Sequence, residues 1–222
     1  MSSPSVTGTT MKLHTFFRSG TSHRLRIALN LKGIAYEQVA VDLRREQHLT
    51  AAYKAVNPQQ LVPALDVDGR VLTQSPAIIE WLEERYPAPP LLPRDVQDRA
   101  QVRALAALIG CDVHPVNNRR ILEALRHRFG ADDEAVNAWC ATWIEAGFDA
   151  FEALADSFGM PGPYAFGPRP TLADVYLVPQ VESARRFKVD ISRWLRIASI
   201  DSACAQLEAF ARAAPTAQPD AA

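Results

Sequence analysis

The periodicity of the chain changes once, and that change limits the possible folds more than any other feature. Up to Tyr86, short runs with the two-residue alternation of strands take turns with helical runs; beyond Asp95 every periodic segment is helical. Between them lies PAPPLLPRD, residues 87–95, whose prolines interrupt both helix and ladder and favour a semi-rigid linker. A length of 222 residues supports two cores without disulfides or metal. The pattern predicts an α/β domain over 11–86, a linker over 87–95 and an all-α bundle over 96–213. Residues 1–10 read as a disordered extension and 214–222 as a frayed tail.

Within the first domain, KLHTFF (12–17) suits a strand and TSHRLRIALNLKG a helix, with Leu25, Ala28 and Leu29 at i, i+3, i+4. Thr21 or Ser22 is placed to cap that helix, and Gly33 to stop it. Residues 36–43 alternate as a strand, and the polar stretch through Val56 supports only a short helix or loop. VPALDV and RVLTQ flank Asp68 and Gly69, a strong hairpin signal, and Ser75 then caps a helix with Pro76 at its first position. In the second domain the pattern predicts helices over 97–110, 115–129, 133–158, 171–187 and 200–213. Thr171 and Asp174 form a T-x-x-D capping arrangement, which belongs to folding.

Several function classes drop out. With 24 basic and 25 acidic residues the chain has no global field to recruit nucleic acid or an anionic membrane. No run approaches the roughly 18–20 apolar residues that span a bilayer. Cys111, Cys140 and Cys204 are widely spaced, with no CxxC pair, which suits a reducing, cytoplasmic compartment and a chain that carries no metal. Twenty of the basic residues are arginine, whose planar head grips carboxylates in a bidentate way.

Two stretches carry chemistry. RSGTSHRLR, from Arg18 to Arg26, sits where the first strand passes into the first helix, and a helix N-terminus lined by Ser19, Thr21 and Ser22 stabilises an anion or thiolate. No cysteine occupies this stretch, so a reactive sulfur would have to arrive with a ligand. The second stretch is NPQQLVPAL followed by QSPAIIEWL. Its Val62–Pro63 pair is a candidate cis bond that exposes the Val62 backbone to a peptide-like ligand, and Gln74 and Ser75 can hold a carboxylate at a helix start.

This combination resembles the thioredoxin-like domain of the glutathione S-transferases, followed by that family's helical bundle, over essentially 11–215. RSGTSHRLRIALNLKGIAYE is similar to the zeta-class signature SSCxWRVRIAL. Ser19 stands at its first Ser, Gly20 and Thr21 replace the second Ser and the Cys, and His23 replaces the aromatic residue. With NPQQLVPAL, HPVNNRRIL and PQVESARRF, the chain resembles the glutathione-dependent isomerases of maleyl keto acids within this class. The resemblance implies glutathione contacts at Ser19, Thr21, His48, Val62, Gln74, Ser75, His114 and Asn118, with Ser19 or Thr21 stabilising the thiolate. It implies Arg18 and Arg186 as clamps for a dianionic keto acid, with Arg119 and Arg120 second in rank, and a homodimer. Arg185 belongs to the same set of basic candidates. His114 and Asn118 share a face if one helix runs through Pro115. A glutathione transferase or dehalogenase, and a non-catalytic glutathione-binding protein, remain open alternatives.

Overall fold

A computed structural model of the chain describes residues 10–221 and divides it into two compact units, one made of residues up to Pro89 together with 209 onward, the other of Pro90–Glu208. All of the expected N-terminal extension except Thr10 lies outside the described residues.

The first unit runs β1 (Met11–Thr15), α1 (Gly20–Leu31), β2 (Glu37–Ala40), α2 (Ala51–Val56), β3 (Ala64–Val67), β4 (Arg70–Thr73) and α3 (Ser75–Arg85). The sheet order is β2-β1-β3-β4, with β1 parallel to β2, β1 antiparallel to β3 and β3 antiparallel to β4. The parallel pair needs a crossover, which α1 supplies. Asp68 and Gly69 turn the β3–β4 hairpin with φ of 51° and 84°, the left-handed conformation a tight hairpin demands. Helix α1 packs against α3, burying Leu25, Ala28 and Leu29 with Ile78, Ile79 and Leu82. Strand β1 stops at Thr15, so Phe16, Phe17 and Arg18 form the loop that delivers the chain to α1.

The second unit contains α4 (Val96–Ala107), α5 (Arg119–Phe129), α6 (Asp133–Phe158), α7 (Leu172–Arg186) and α8 (Leu195–Ala205). A short α9 (Glu208–Ala211) straddles the boundary between the units. Two helices differ from expectation. The segment expected as 115–129 starts as a separate turn, Pro115–Asn117, after a π-helical turn at Leu108–Val113, and α5 proper begins at Arg119. That π turn lies close against α6 where Gly147 leaves room; a Cβ there would sit 2.2 Å from Val113 Cγ2. The segment expected as one helix over 200–213 is α8 and α9 instead. Helix α8 begins early because Glu152, on α6, accepts from the N–H groups of Arg196 and Ile197, a cap supplied from another helix.

The linker is not a free spacer. Lys32 Nζ reaches the Tyr86 and Pro89 carbonyls at 2.7 and 3.1 Å and pairs with Glu83 at 2.8 Å, fixing its first half. Leu91 and Leu92 are buried and the Leu91 carbonyl accepts from Leu172 N at 2.8 Å, fixing its second half to α7. The C-terminal segment also departs from expectation. The bundle ends at Glu208 rather than 213, and the chain from 209 to 221 docks on the first unit instead of fraying. Side-chain hydrogen bonds hold it there. Asn30 donates to the Ala209 carbonyl and Arg26 to that of Ala213, while the buried Gln218 accepts from Gln38 and donates to the carbonyls of Arg212 and Ala214. No helix among the described residues is long and apolar enough to cross a membrane.

The capping residue Asp174 is fully buried and accepts from Ala165 N, Thr171 N and Thr171 Oγ1 at 2.8, 2.7 and 3.0 Å. Asp174→Ala strands these donors in the interior and should cost about 2–4 kcal/mol of stability. A urea unfolding midpoint equal to that of the unmodified chain would remove this role.

Candidate active site

The site is built around the N-terminus of α1. Ser19 N–H donates to the Phe16 carbonyl at 3.0 Å, closing a turn that brings Ser19 to the helix entrance in an extended conformation. Its Oγ then caps the helix by accepting from Ser22 N at 3.2 Å. The hydroxyl protons can be placed from the partners. Thr21 Oγ1 donates to the Val62 carbonyl at 2.9 Å, and Ser19 Oγ lies 3.0 Å from Thr21 Oγ1. Each hydroxyl carries one proton. With the Thr21 proton committed to Val62, Ser19 is the donor to Thr21. Ser19 therefore has a proton it can redirect by rotating one bond, while Thr21 is held as the acceptor behind it.

The backbone adds to this. The N–H groups of Gly20 and Thr21 find no acceptor among the described residues, and they carry the positive end of the helix dipole. Across from them, the Val62–Pro63 peptide is cis. The preceding Leu61 carbonyl accepts from Tyr53 Oη and Asn57 Nδ2, both at 2.7 Å, which fixes the segment. The Val62 N–H has no acceptor among the described residues, so an extended peptide could pair there. The residues thus fit a peptide that carries a thiol.

At the start of α3, Gln74 has φ 68° and ψ 107°, a conformation costly for a residue with a side chain. Its exposed amide donates to Gln59 Oε1 at 2.6 Å. Ser75 is buried and its Oγ accepts from Arg24 Nη1 at 3.2 Å, so a cation backs the hydroxyl and its own proton can be donated onward. His48 is half-buried in the turn Gln47–Leu49, and Arg18 is exposed beside Ser19. Thus Ser19, Thr21 and Val62 are joined directly, whereas Gln74, Ser75 and His48 sit on neighbouring segments of the same unit.

The remaining candidates lie in the second unit. His114 and Asn118 do not share a helix face, because α5 starts only after Asn118. Asn118 is extended and its Oδ1 caps α5 by accepting from Arg120 N at 3.0 Å, which leaves Nδ2 as its group for a ligand. Arg119 pairs with Glu123, and Arg185 with Asp201 at 2.5 Å. Arg186 ends α7 with its guanidinium 5.1 Å from the Phe187 ring and donates to Ser183 Oγ at 3.1 Å. Four residues of the first unit went unmarked in the sequence reading: Arg24, Arg26, Gln59 and Asp220. Gln59 lies inside the NPQQ motif. The arginines resemble any solvated helix face, and nothing local singles out Asp220.

Models of the glutathione S-transferase N-terminal and C-terminal domains match residues 18–85 and 133–213. The maleylpyruvate isomerase of a Ralstonia species is 66% identical over 212 residues, covering 96% of this chain and all of that one. A solved holo structure of maleyl pyruvate isomerase, described as a bacterial glutathione S-transferase in the zeta class, superposes with a TM-score of 0.94 at 66% identity, covering 95% of this chain and all of that one. The chain is a zeta-class glutathione S-transferase. The maleylacetoacetate isomerase of Anaeromyxobacter dehalogenans, solved with dicarboxyethyl glutathione and citrate in its active site, is 40% identical, with a TM-score of 0.87 over 97% of this chain and 96% of that one.

This zeta-class transferase carries His23 on α1. The side chain is almost completely buried, and burial, assisted by the Arg26 charge, lowers its pKa to about 3. It stays neutral at any working pH and serves as a ring in the core. The unfolded chain protonates this histidine near its ordinary 6.5, so between about 3 and 6.5 the unfolded state binds more protons. His23 therefore makes stability fall as pH drops through that window. His23→Phe should flatten this part of the curve, so that its stability relative to the parent improves from pH 7 to pH 4. An identical pH slope in both proteins, measured by urea unfolding, would contradict the assignment.

Proposed function

We propose that this chain is a glutathione-dependent cis–trans isomerase that converts maleylpyruvate, maleylacetoacetate or both to the fumaryl isomer. The observation that carries the reading is the α1 entrance. A hydroxyl with a redirectable proton and two open backbone N–H groups surround a point where the protein has no thiol of its own. Bound glutathione supplies a thiolate that adds to the cis double bond, permits rotation, and leaves unchanged.

Ser19 is the catalytic residue. It turns its proton from Thr21 to the sulfur and, with the α1 N-terminus, lowers the cost of the thiolate at neutral pH. Thr21, anchored on Val62, sets the Ser19 hydroxyl in place and accepts its proton in the resting site. Val62 pairs with the peptide, while Gln74 and Ser75 hold its carboxylate end at the α3 N-terminus; His48, His114 and Asn118 Nδ2 complete the set of glutathione contacts.

The substrate has two carboxylates, and Arg18 and Arg186 clamp them, offsetting charge that builds on the keto-acid oxygen. Arg185, by contrast, is committed to Asp201. Of the second-rank pair, Arg119 is held by Glu123, which favours Arg120. The two-carboxylate substituent on the glutathione bound by the Anaeromyxobacter relative supports a dianionic substrate. The thiols of Cys111, Cys140 and Cys204, none in a disulfide, suit a cytoplasmic enzyme, and the functional form is a homodimer.

The ultraviolet spectrum of at least one of the two acids should change to that of its fumaryl isomer with enzyme plus glutathione, and an equal change without glutathione would overturn the reading. Ser19→Ala should lower kcat by about 10- to 100-fold and Thr21→Val by less, because Thr21 acts through Ser19. Arg186→Ala should raise KM for the acid much more than KM for glutathione; equal increases would take Arg186 out of the substrate site.

A further inference from the structure

The geometry points to a positioning role for the C-terminal segment, through Asp220, in holding the loop that delivers Arg18, Ser19 and Thr21 to the thiol site. This inference rests on the isomerase reading and extends it to a residue about two hundred positions away in sequence.

Phe17 immediately precedes Arg18, and three groups restrain it. Its N–H donates to Asp220 Oδ2 at 2.9 Å. Its carbonyl accepts from Arg26 Nη2 at 3.0 Å. Its ring lies 5.3 Å from the guanidinium of Arg44, which is paired with Asp42. Arg26 itself is fixed on its other edge by the C-terminal segment, because its Nε donates to the Ala213 carbonyl at 3.0 Å. One stretch of chain, 213–220, therefore holds Phe17 twice, once directly and once through Arg26. The Phe16 carbonyl next to it forms the turn that seats Ser19.

A charged acceptor on a backbone N–H is a strong hydrogen bond, and no other acceptor for Phe17 N–H is found among the described residues. Removing the carboxylate leaves the loop to sample positions in which Ser19 is not aimed at the sulfur. Glutathione must then select the competent fraction, which weakens its apparent affinity by that fraction. Once glutathione is bound, it restores the loop and the chemical step proceeds as before.

The test compares the full chain with its Asp220→Ala and Asp220→Asn variants. For Asp220→Ala we expect KM for glutathione to rise about three- to tenfold, the loss of about one hydrogen bond to a charged group, with kcat at saturating glutathione within about twofold. Hydrogen exchange over residues 16–21, read without ligand, should quicken. Asp220→Asn keeps an oxygen acceptor in place and should restore KM to within about twofold. Unchanged KM and unchanged exchange in Asp220→Ala would overturn the inference, even if its Tm fell, because lost stability alone does not separate KM from kcat. An Asp220→Asn variant as impaired as the alanine, with exchange over 16–21 as slow as in the unmodified protein, would overturn it as well, by assigning the effect to the field of the carboxylate on Arg26 rather than to the hold on the loop. If the unmodified protein turns over no maleyl acid, the isomerase reading fails, and exchange over 16–21 still decides whether Asp220 holds the loop.

Discussion

The guanidinium of Arg26 is the interaction on which the first unit's active end depends. The side chain is completely buried, yet its hydrogen bonds go to neutral oxygens: the Ala213, Phe16 and Phe17 carbonyls and Thr15 Oγ1. A cation buried without a direct hydrogen bond to a carboxylate is expensive, and burial, only partly opposed by the field of Asp220, pulls its pKa down to about 10, which leaves it charged at neutral pH. What offsets the cost is that one planar head fixes the end of β1, the loop after it and the C-terminal segment together. Arginine can do this because its fork of donors is rigid, whereas lysine would offer a single mobile point.

That rigidity is what a borrowed nucleophile needs. The sulfur arrives with the ligand, so the protein's contribution is a place where a thiolate is cheaper than in water. In the proposed reaction helix α1 supplies its open N–H groups, and Ser19 a proton that it can redirect. The threonine that stands where the zeta signature has cysteine does not weaken this arrangement. Its hydroxyl is anchored on the Val62 carbonyl, and it orders the serine proton in the resting state.

Much of this was legible in the sequence, and what was hidden has a common cause. Strand and helix order in the first unit and the Asp68–Gly69 turn follow from local propensity, which neighbours in sequence decide, whereas the caps fall at Ser19 rather than Thr21 or Ser22 and at Gln74 rather than Ser75. Ser19, Thr21, Val62, Gln74 and Ser75 stand out as candidates because they lie at the ends of such elements. Residues 209–221 were misjudged because their stability comes from partners such as Arg26 and Gln38, far away in sequence. Periodicity failed in the same way for α1. Residues 22–29 are buried all round, so Arg24 and Arg26 sit in the core while their spacing reads as a polar face. The early start of α8 likewise depends on Glu152 of another helix.

In the proposed reaction the α1 entrance makes a thiolate of a thiol it does not own. Titrating the sulfur of bound glutathione by its ultraviolet thiolate absorbance tests this directly, in the binary complex and before any substrate is added. The bound thiol should titrate with a pKa well below the roughly 8.5 of a free thiol, returning toward that value in Ser19→Ala. A bound thiol that titrates as it does in free solution would contradict it.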